Sequence, residues 1–356
     1  MHSLLRLSFL TLFVLGAASL LQADEVVTEP LGGVNYTFSP GSQTYVGVPI
    51  LRSPLRVDVL ANGILTAATL TNATNLAQDL PAGSRCFLEI LGPSTTGSTT
   101  NVGARFEIDV PTTRLMANNT LAIDPVSPYT TPGRSLSDCI GCKVAIRPHW
   151  TLATFFGTGT SAGALQSGTS LKTADQVQFW TGQGMAAYWF RSNAAGTLKE
   201  WRSASASKGT ANQDNTILPP GVGVVFQRSG ATTMSLPAYG DVRTNAFIQV
   251  VGAGRSLLAS GFPMDMSPHQ ANYLFASGFS SASTPAIADQ IQVQTGAVKD
   301  VYWYCQETVG AERQWRNVSD GATNHSATPF LHPLRSFFVK TASAIEPFST
   351  ECPLDN

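Results

Sequence analysis

Two stretches of this chain are copies of one another, and that duplication limits its fold more than any other feature. Residues 174–202 read ADQVQFWTGQGMAAYWFRSNAAGTLKEWR and residues 288–316 read ADQIQVQTGAVKDVYWYCQETVGAERQWR. Aligned without a gap at an offset of 114, they share 11 of 29 positions, where chance gives roughly two. The shared residues include Asp175/Asp289, Gly182/Gly296, Tyr188/Tyr302, Trp189/Trp303, Trp201/Trp315 and Arg202/Arg316, and Pro219/Pro333 and Val225/Val339 keep the same offset. The chain must therefore fold as two versions of one unit.

Upstream the register shifts. Pro148-His149 resembles Pro268-His269, and Gly47-Val48-Pro49 resembles Gly261-Phe262-Pro263. Five positions separate Pro263 from Pro268, but 99 separate Pro49 from Pro148, so the first copy carries about 94 extra residues. That is the size of a small domain. Module A is thus expected at 24–52 plus 147–243, an inserted unit at 53–146 and module B at 244–356. In the insert, Val57–Val59 and Ile64–Thr66 flank Asn62-Gly63, the signature of a two-residue hairpin turn. Further short strands are expected at Cys86–Leu91, Ala104–Asp109, Arg114–Met116, Leu121–Ile123 and Lys143–Arg147, a spacing that suits a small barrel.

Strand signals in the modules fall at Thr44–Ile50, Val177–Trp180, Ala187–Arg191, Val222–Gln227, Phe247–Val251, Gln290–Val293, Val301–Cys305 and Phe337–Lys340. Helical pattern is confined to a turn or two at His149–Phe156 and His269–Ala276. Charged residues make up only 13% of the chain, about half the usual share, which suits turn-rich sheets better than amphipathic helices. The expected fold is all-β: two β-sandwich-like modules, the first interrupted by a small β-barrel-like domain.

Net charge is −1 and no basic run occurs, which disfavours nucleic acid as a partner. Residues 1–23 carry His2 and Arg6, an apolar run from Leu7 to Leu21 and Gln22-Ala23, followed by Asp24-Glu25. This reads as a secretory signal peptide cut after Ala23, and no later run is long enough for a spanning helix. An exported protein, periplasmic, on the cell surface or released, with no integral membrane segment after cleavage is expected.

Glu29-Pro30-Leu31-Gly32, Ile146-Arg147-Pro148-His149-Trp150-Thr151-Leu152 and the repeated Ala-Asp-Gln, Tyr-Trp and Trp-Arg motifs together resemble a family of uncharacterised exported β-rich proteins from verrucomicrobial bacteria. The resemblance covers most of the mature chain. It implies export and a β-rich fold, and it assigns no activity or site residue.

Chemistry-bearing patterns are few. Trp189, Trp201, Arg202, Trp303, Trp315 and Arg316 are either a duplicated aromatic core or a platform on which sugar rings stack. Asp175-Gln176 and Asp289-Gln290 open strands, as turn-capping residues do. His149 and His269, one per module, do not make a ligand set. Gly159-Thr160-Ser161-Ala162-Gly163 fits G-x-S-x-G but lacks the helix that a nucleophile elbow needs. Cys139 and Cys142 precede a strand rather than opening a helix, which argues against a redox pair. A Cys305–Cys352 disulfide and one bridge within the insert are expected instead. No cofactor motif is present. The leading expectation is an exported structural or surface-interaction protein without catalytic activity, its partner a polysaccharide or another surface protein. The alternatives are a carbohydrate-binding protein using the repeated Trp sites and a hydrolase with an active site at a domain junction.

Overall fold

The computed structural model describes residues 30–116, 118–159, 163–205 and 211–353. The expected signal peptide and Ser161 lie outside them. Module A opens with β1 (Leu31–Phe38), β2 (Gln43–Val46) and β3 (Ile50–Leu51). The insert supplies β4 (Arg56–Ile64), β5 (Ala67–Leu70), β6 (Cys86–Ile90), β7 (Arg105–Ile108), β8 (Thr120–Asp124) and β9 (Lys143–Pro148). Module A resumes with β10 (Trp150–Thr151), β11 (Gln176–Trp180), β12 (Met185–Ser192), β13 (Lys199–Ser203), β14 (Ile217–Leu218), β15 (Val224–Gln227) and β16 (Met234–Val242). Module B holds β17 (Phe247–Val251), β18 (Gly254–Leu258), β19 (Gln290–Thr295), β20 (Val298–Cys305), β21 (Gln314–Asn317), β22 (Phe337–Thr341) and β23 (Ile345–Thr350). The protein is all-β. No helix among the described residues is long and apolar enough to cross a membrane.

The duplication appears as matching topology. Module A has a five-stranded sheet in the order β13-β12-β11-β15-β2, and module B has β21-β20-β19-β22-β18. A second, smaller sheet faces each: β1-β16-β3 in A and β17-β23 in B. Both sheets of a module feed one core. In A, Phe38 and Met234 meet Val177, Phe190, Trp201 and Phe226. In B, Phe247 and Phe348 share a cluster with Ile291, Tyr304, Trp315 and Val339.

The repeated motifs account for much of this equivalence. Asp175 takes the backbone N–H of Gln166 at 2.8 Å, and Asp289 takes that of Ser280 at 2.7 Å, each nine residues upstream. Gln176 and Gln290 each donate to a carbonyl five residues back, Leu171 and Pro285. Trp201 and Trp315 donate their indole N–H to Gly157 and Tyr273, both at 2.9 Å. These bonds fix the long connections that lead into β11 and β19, whose polar backbone would otherwise be buried unpaired.

The insert closes as a barrel in the order β4-β5-β8-β7-β6-β9. Leu60, Leu88, Ile90, Phe106, Ile108, Leu121, Ile123, Val144 and Ile146 fill it. Two local expectations are corrected here. Asn62-Gly63 is not the turn: Asn62 pairs with Thr69 and Gly63 with Ala68, so the chain reverses at Leu65-Thr66. Gly63 is needed for close approach, since a Cβ there would stand 2.7 Å from the Leu136 carbonyl oxygen. Arg114–Met116 is not a strand either. It follows a helical turn at Val110–Thr113, started by Pro111 and capped by Asp109 accepting from the Thr112 N–H.

The modules meet through equivalent surfaces. The segment after β2 touches the segment before β22, with Gly47 N–H donating to Leu334 O at 3.0 Å. The end of β18 and the residue after it touch the segment before β15, with Gly223 donating to Leu257 O and Ala259 to Gly221 O. Between the sheets, Val225, Leu257 and Phe338 form an apolar cluster with Tyr45 and Trp180. This is the geometry of an isologous dimer written into one chain.

Candidate functional site

A cavity of about 450 Å³ lies where the barrel, module A and module B come together. Its walls come mainly from three separated stretches, the 125–136 connection of the barrel, Pro219–Val222 of module A and Phe247–Val250 of module B, completed by residues such as Leu65, Arg105 and Phe106 of the barrel strands and turns. The 125–136 connection is stiffened by Pro125, Pro128 and Pro132 and stitched to β7. Thr131 exchanges both backbone bonds with Arg105 through its hydroxyl (3.0 Å) and its N–H (2.8 Å), and Thr130 Oγ1 takes the Glu107 N–H at 3.0 Å.

Arg105 forms part of the wall and is 7% exposed. Its Nη2 donates to Ile248 O at 3.1 Å, whereas Nη1 is buried with no hydrogen-bond partner among the described residues. Its guanidinium lies over the Phe247 ring at 4.6 Å, and that of Arg243 lies 4.7 Å from the same ring. Phe247 fits there because positions 221 and 261 are glycines with φ of +78° and +81°, where a Cβ would meet the ring at 2.2 and 2.8 Å. Burial, reinforced by Arg243 and partly opposed by Glu89, pulls the Arg105 pKa down to about 9.

Behind this wall is a buried ion network. Glu89 Oε2 accepts from Arg147 Nε at 2.7 Å, and its Oε1 accepts from Arg243. Arg147 Nη1 also reaches Asp241 Oδ2 at 2.9 Å, whose other oxygen takes the Ser53 hydroxyl at 2.7 Å. Burial opposes ionisation of Glu89, but the two guanidiniums outweigh it and hold the carboxyl below the usual range. A second cluster lies beside it. His149 Nε2 is 2.6 Å from Glu107 Oε2, Arg85 pairs with the other Glu107 oxygen at 2.9 Å, and Phe87 and Tyr129 flank the imidazole. Burial lowers the His149 pKa despite Glu107, and the imidazole directs its Nε2–H at the Glu107 carboxylate, which accepts the hydrogen bond.

The six residues marked from sequence form one set per module, with Trp189 opposite Arg202 across β12 and β13 and Trp303 opposite Arg316 across β20 and β21, each arginine following a tryptophan of the same strand. Trp201 and Trp315 are fully buried, and Trp303 is 6% exposed beside Ala288 and Cys305. These three are core residues and offer no face to a sugar ring; only Trp189, half-buried, retains surface. Arg202 is buried against Glu200, and Arg316 bonds Glu307 at 2.6 Å. The disulfide expectations are also corrected. All five cysteines are buried thiols. Cys305 packs in a small satellite cluster with Trp303, while Cys352 lies in the main module B core with its thiol toward Arg243 O. His149 and His269 have different fates, one buried at the barrel seam and the other exposed.

The cavity residues Arg105, Arg134 and Phe247 were not singled out from sequence. Their one trace is the Pro- and Thr-rich stretch between two barrel strands. The buried carboxylates Glu89, Glu107, Asp175 and Asp241 are each held by a guanidinium, so their oxygens are committed to structure. An apolar, partly enclosed cavity with fixed polar groups suits binding. No protein-family model matches this chain, and no curated protein or solved structure matches it.

Proposed function

We propose that this chain is an exported, non-catalytic surface-interaction protein that works by binding, with the three-way cavity as its site. The observation that carries the reading is the construction of that cavity: three stretches distant in sequence converge on one space of about 450 Å³, within the range of small-molecule sites. The repeated tryptophans support the scaffold rather than a ligand.

A fluorine-NMR fragment screen on the mature protein and on Leu65→Trp tests it. Leu65 is 74% exposed in a turn at the cavity edge, so a larger ring there narrows the cavity without disturbing the core. Fragments that bind wild type and are lost from Leu65→Trp are expected. Hits indifferent to that substitution would place binding elsewhere. Turnover of chromogenic ester, glycoside or peptide substrates that is lost in Leu65→Trp would overturn the non-catalytic part.

A further inference from the structure

We infer that the cavity takes a small organic anion, a carboxylate on an apolar body, with Arg105 as its counter-charge. This rests on the reading of the cavity as a binding site and adds the chemistry of its occupant. The first support is the charge balance of the junction. Three guanidiniums (Arg105, Arg147 and Arg243) are buried there against two carboxylates (Glu89 and Asp241). Both oxygens of Glu89 are taken by Arg147 and Arg243, and Asp241 is held by Arg147 and Ser53. Arg105 is the cation left over. Its contacts are a carbonyl oxygen and the face of Phe247, and among the described residues its Nη1 has no hydrogen-bond partner.

A desolvated cation with no carboxylate bonded to it is costly in a protein interior, and Glu89 reaches Arg105 only through space. Here the side chain lines a cavity rather than packed core, with Nη1 itself buried behind the wall. Among the described residues that line the cavity, the other charged side chain, Arg134, has the same sign, and there is no Asp or Glu. An anion in this space gains from both guanidiniums in a low-dielectric setting. The rest of the wall, including Leu65, Phe106, Pro128, Pro220 and Val222, excludes a heavily hydrated ion such as inorganic phosphate and favours a hydrocarbon or aryl body. A neutral molecule of the same shape lacks the charge interaction.

Isothermal titration calorimetry of the mature protein with 4-phenylbutyrate, its neutral amide, a series of acids from acetate to octanoate, and inorganic phosphate tests this. The acids with larger apolar bodies are expected to bind, the amide and phosphate at least about tenfold more weakly. Arg105→Met keeps the side chain's length and packing and is expected to lose that preference. Arg134→Gln, at the partly exposed edge, gives a second, smaller loss and keeps the test open if Arg105→Met does not fold. Acid and amide binding alike would overturn the anion inference and leave cavity binding standing. So would binding of neutral fragments with no acid bound. If neither acids nor fragments bind, both readings fall.

Discussion

Glu89 is the most revealing residue to perturb, because it is a buried carboxylate wedged between two buried guanidiniums. In Glu89→Gln, one side-chain oxygen remains to accept from either Arg147 or Arg243, and the new amide N–H₂ must face the other guanidinium. One charged hydrogen bond is lost, worth about 1.5–3 kcal/mol, and two cations lose their shared counter-charge. Breaking a buried pair in this way costs about 3–5 kcal/mol. The expected loss in urea unfolding at pH 7, followed by far-UV circular dichroism, is therefore about 4 kcal/mol. Acid supplies an internal control. The folded-state pKa of Glu89 is depressed, so its contribution is complete above the unfolded-state value of about 4.3 and is lost as pH falls through the folded value. The gap between wild type and Glu89→Gln should hold from pH 7 to about 4.5 and shrink below that. Subtracting one protein from the other cancels titrations common to both, including that of His149. A gap under about 1 kcal/mol at neutral pH, or one that does not shrink in acid, would refute the network as a source of stability.

Four further outcomes are expected. Trp201→Phe and Trp315→Phe each leave a core carbonyl, Gly157 or Tyr273, without its donor and open a small void; each should cost about 3 kcal/mol, and a large inequality in their melting temperatures would show that the repeat is not energetically equivalent. Asp175 pairs with Arg228, but Asp289 accepts only backbone N–H groups from Ser280 and Ala342, so Asp175→Asn should destabilise by about 3 kcal/mol or more and Asp289→Asn by about 1 kcal/mol. Because burial lowers the His149 pKa, folding favours the neutral ring and stability declines as pH drops below the unfolded value of about 6.5; His149→Gln should flatten the melting-temperature profile between pH 7.5 and 5.5. All five cysteines are buried thiols, so Ellman's reagent should react slowly with the native protein and titrate five groups after unfolding, and a lower count would reveal a bridge.

The repeat was legible because its markers are chemically demanding. Trp201 and Trp315 need a core carbonyl for the indole N–H, and Asp175 and Asp289 need a backbone N–H nine residues away, so both copies retain the same residue types. The strands around them follow from alternation: Phe247–Val251 is β17 to the residue. The Asn62-Gly63 turn misled because Gly63 answers to a distant neighbour, Leu136, and not to its own chain direction. The ion network and the cavity were beyond local reading. Glu89, Arg147 and Asp241 are separated by 58 and 94 residues, and nothing near Arg105 in sequence shows that its guanidinium ends beside Phe247, more than a hundred residues away. An isolated arginine on a strand looks the same whether it faces solvent or a cavity. Only the closed topology decides which.

The interruption of module A makes the order of events during synthesis matter. Leu31 pairs with Asp241 and Phe38 with Met234, so β1 is made first and must wait for its partner while the barrel and most of module A emerge. When β16 arrives, β17, the module B counterpart of β1, follows after only a four-residue connection. Contact with the near copy is kinetically favoured over closure of a loop of roughly two hundred residues. The duplication thus sets a strand of the β1 type four residues from β16 in the chain, while β1 itself lies roughly two hundred residues away.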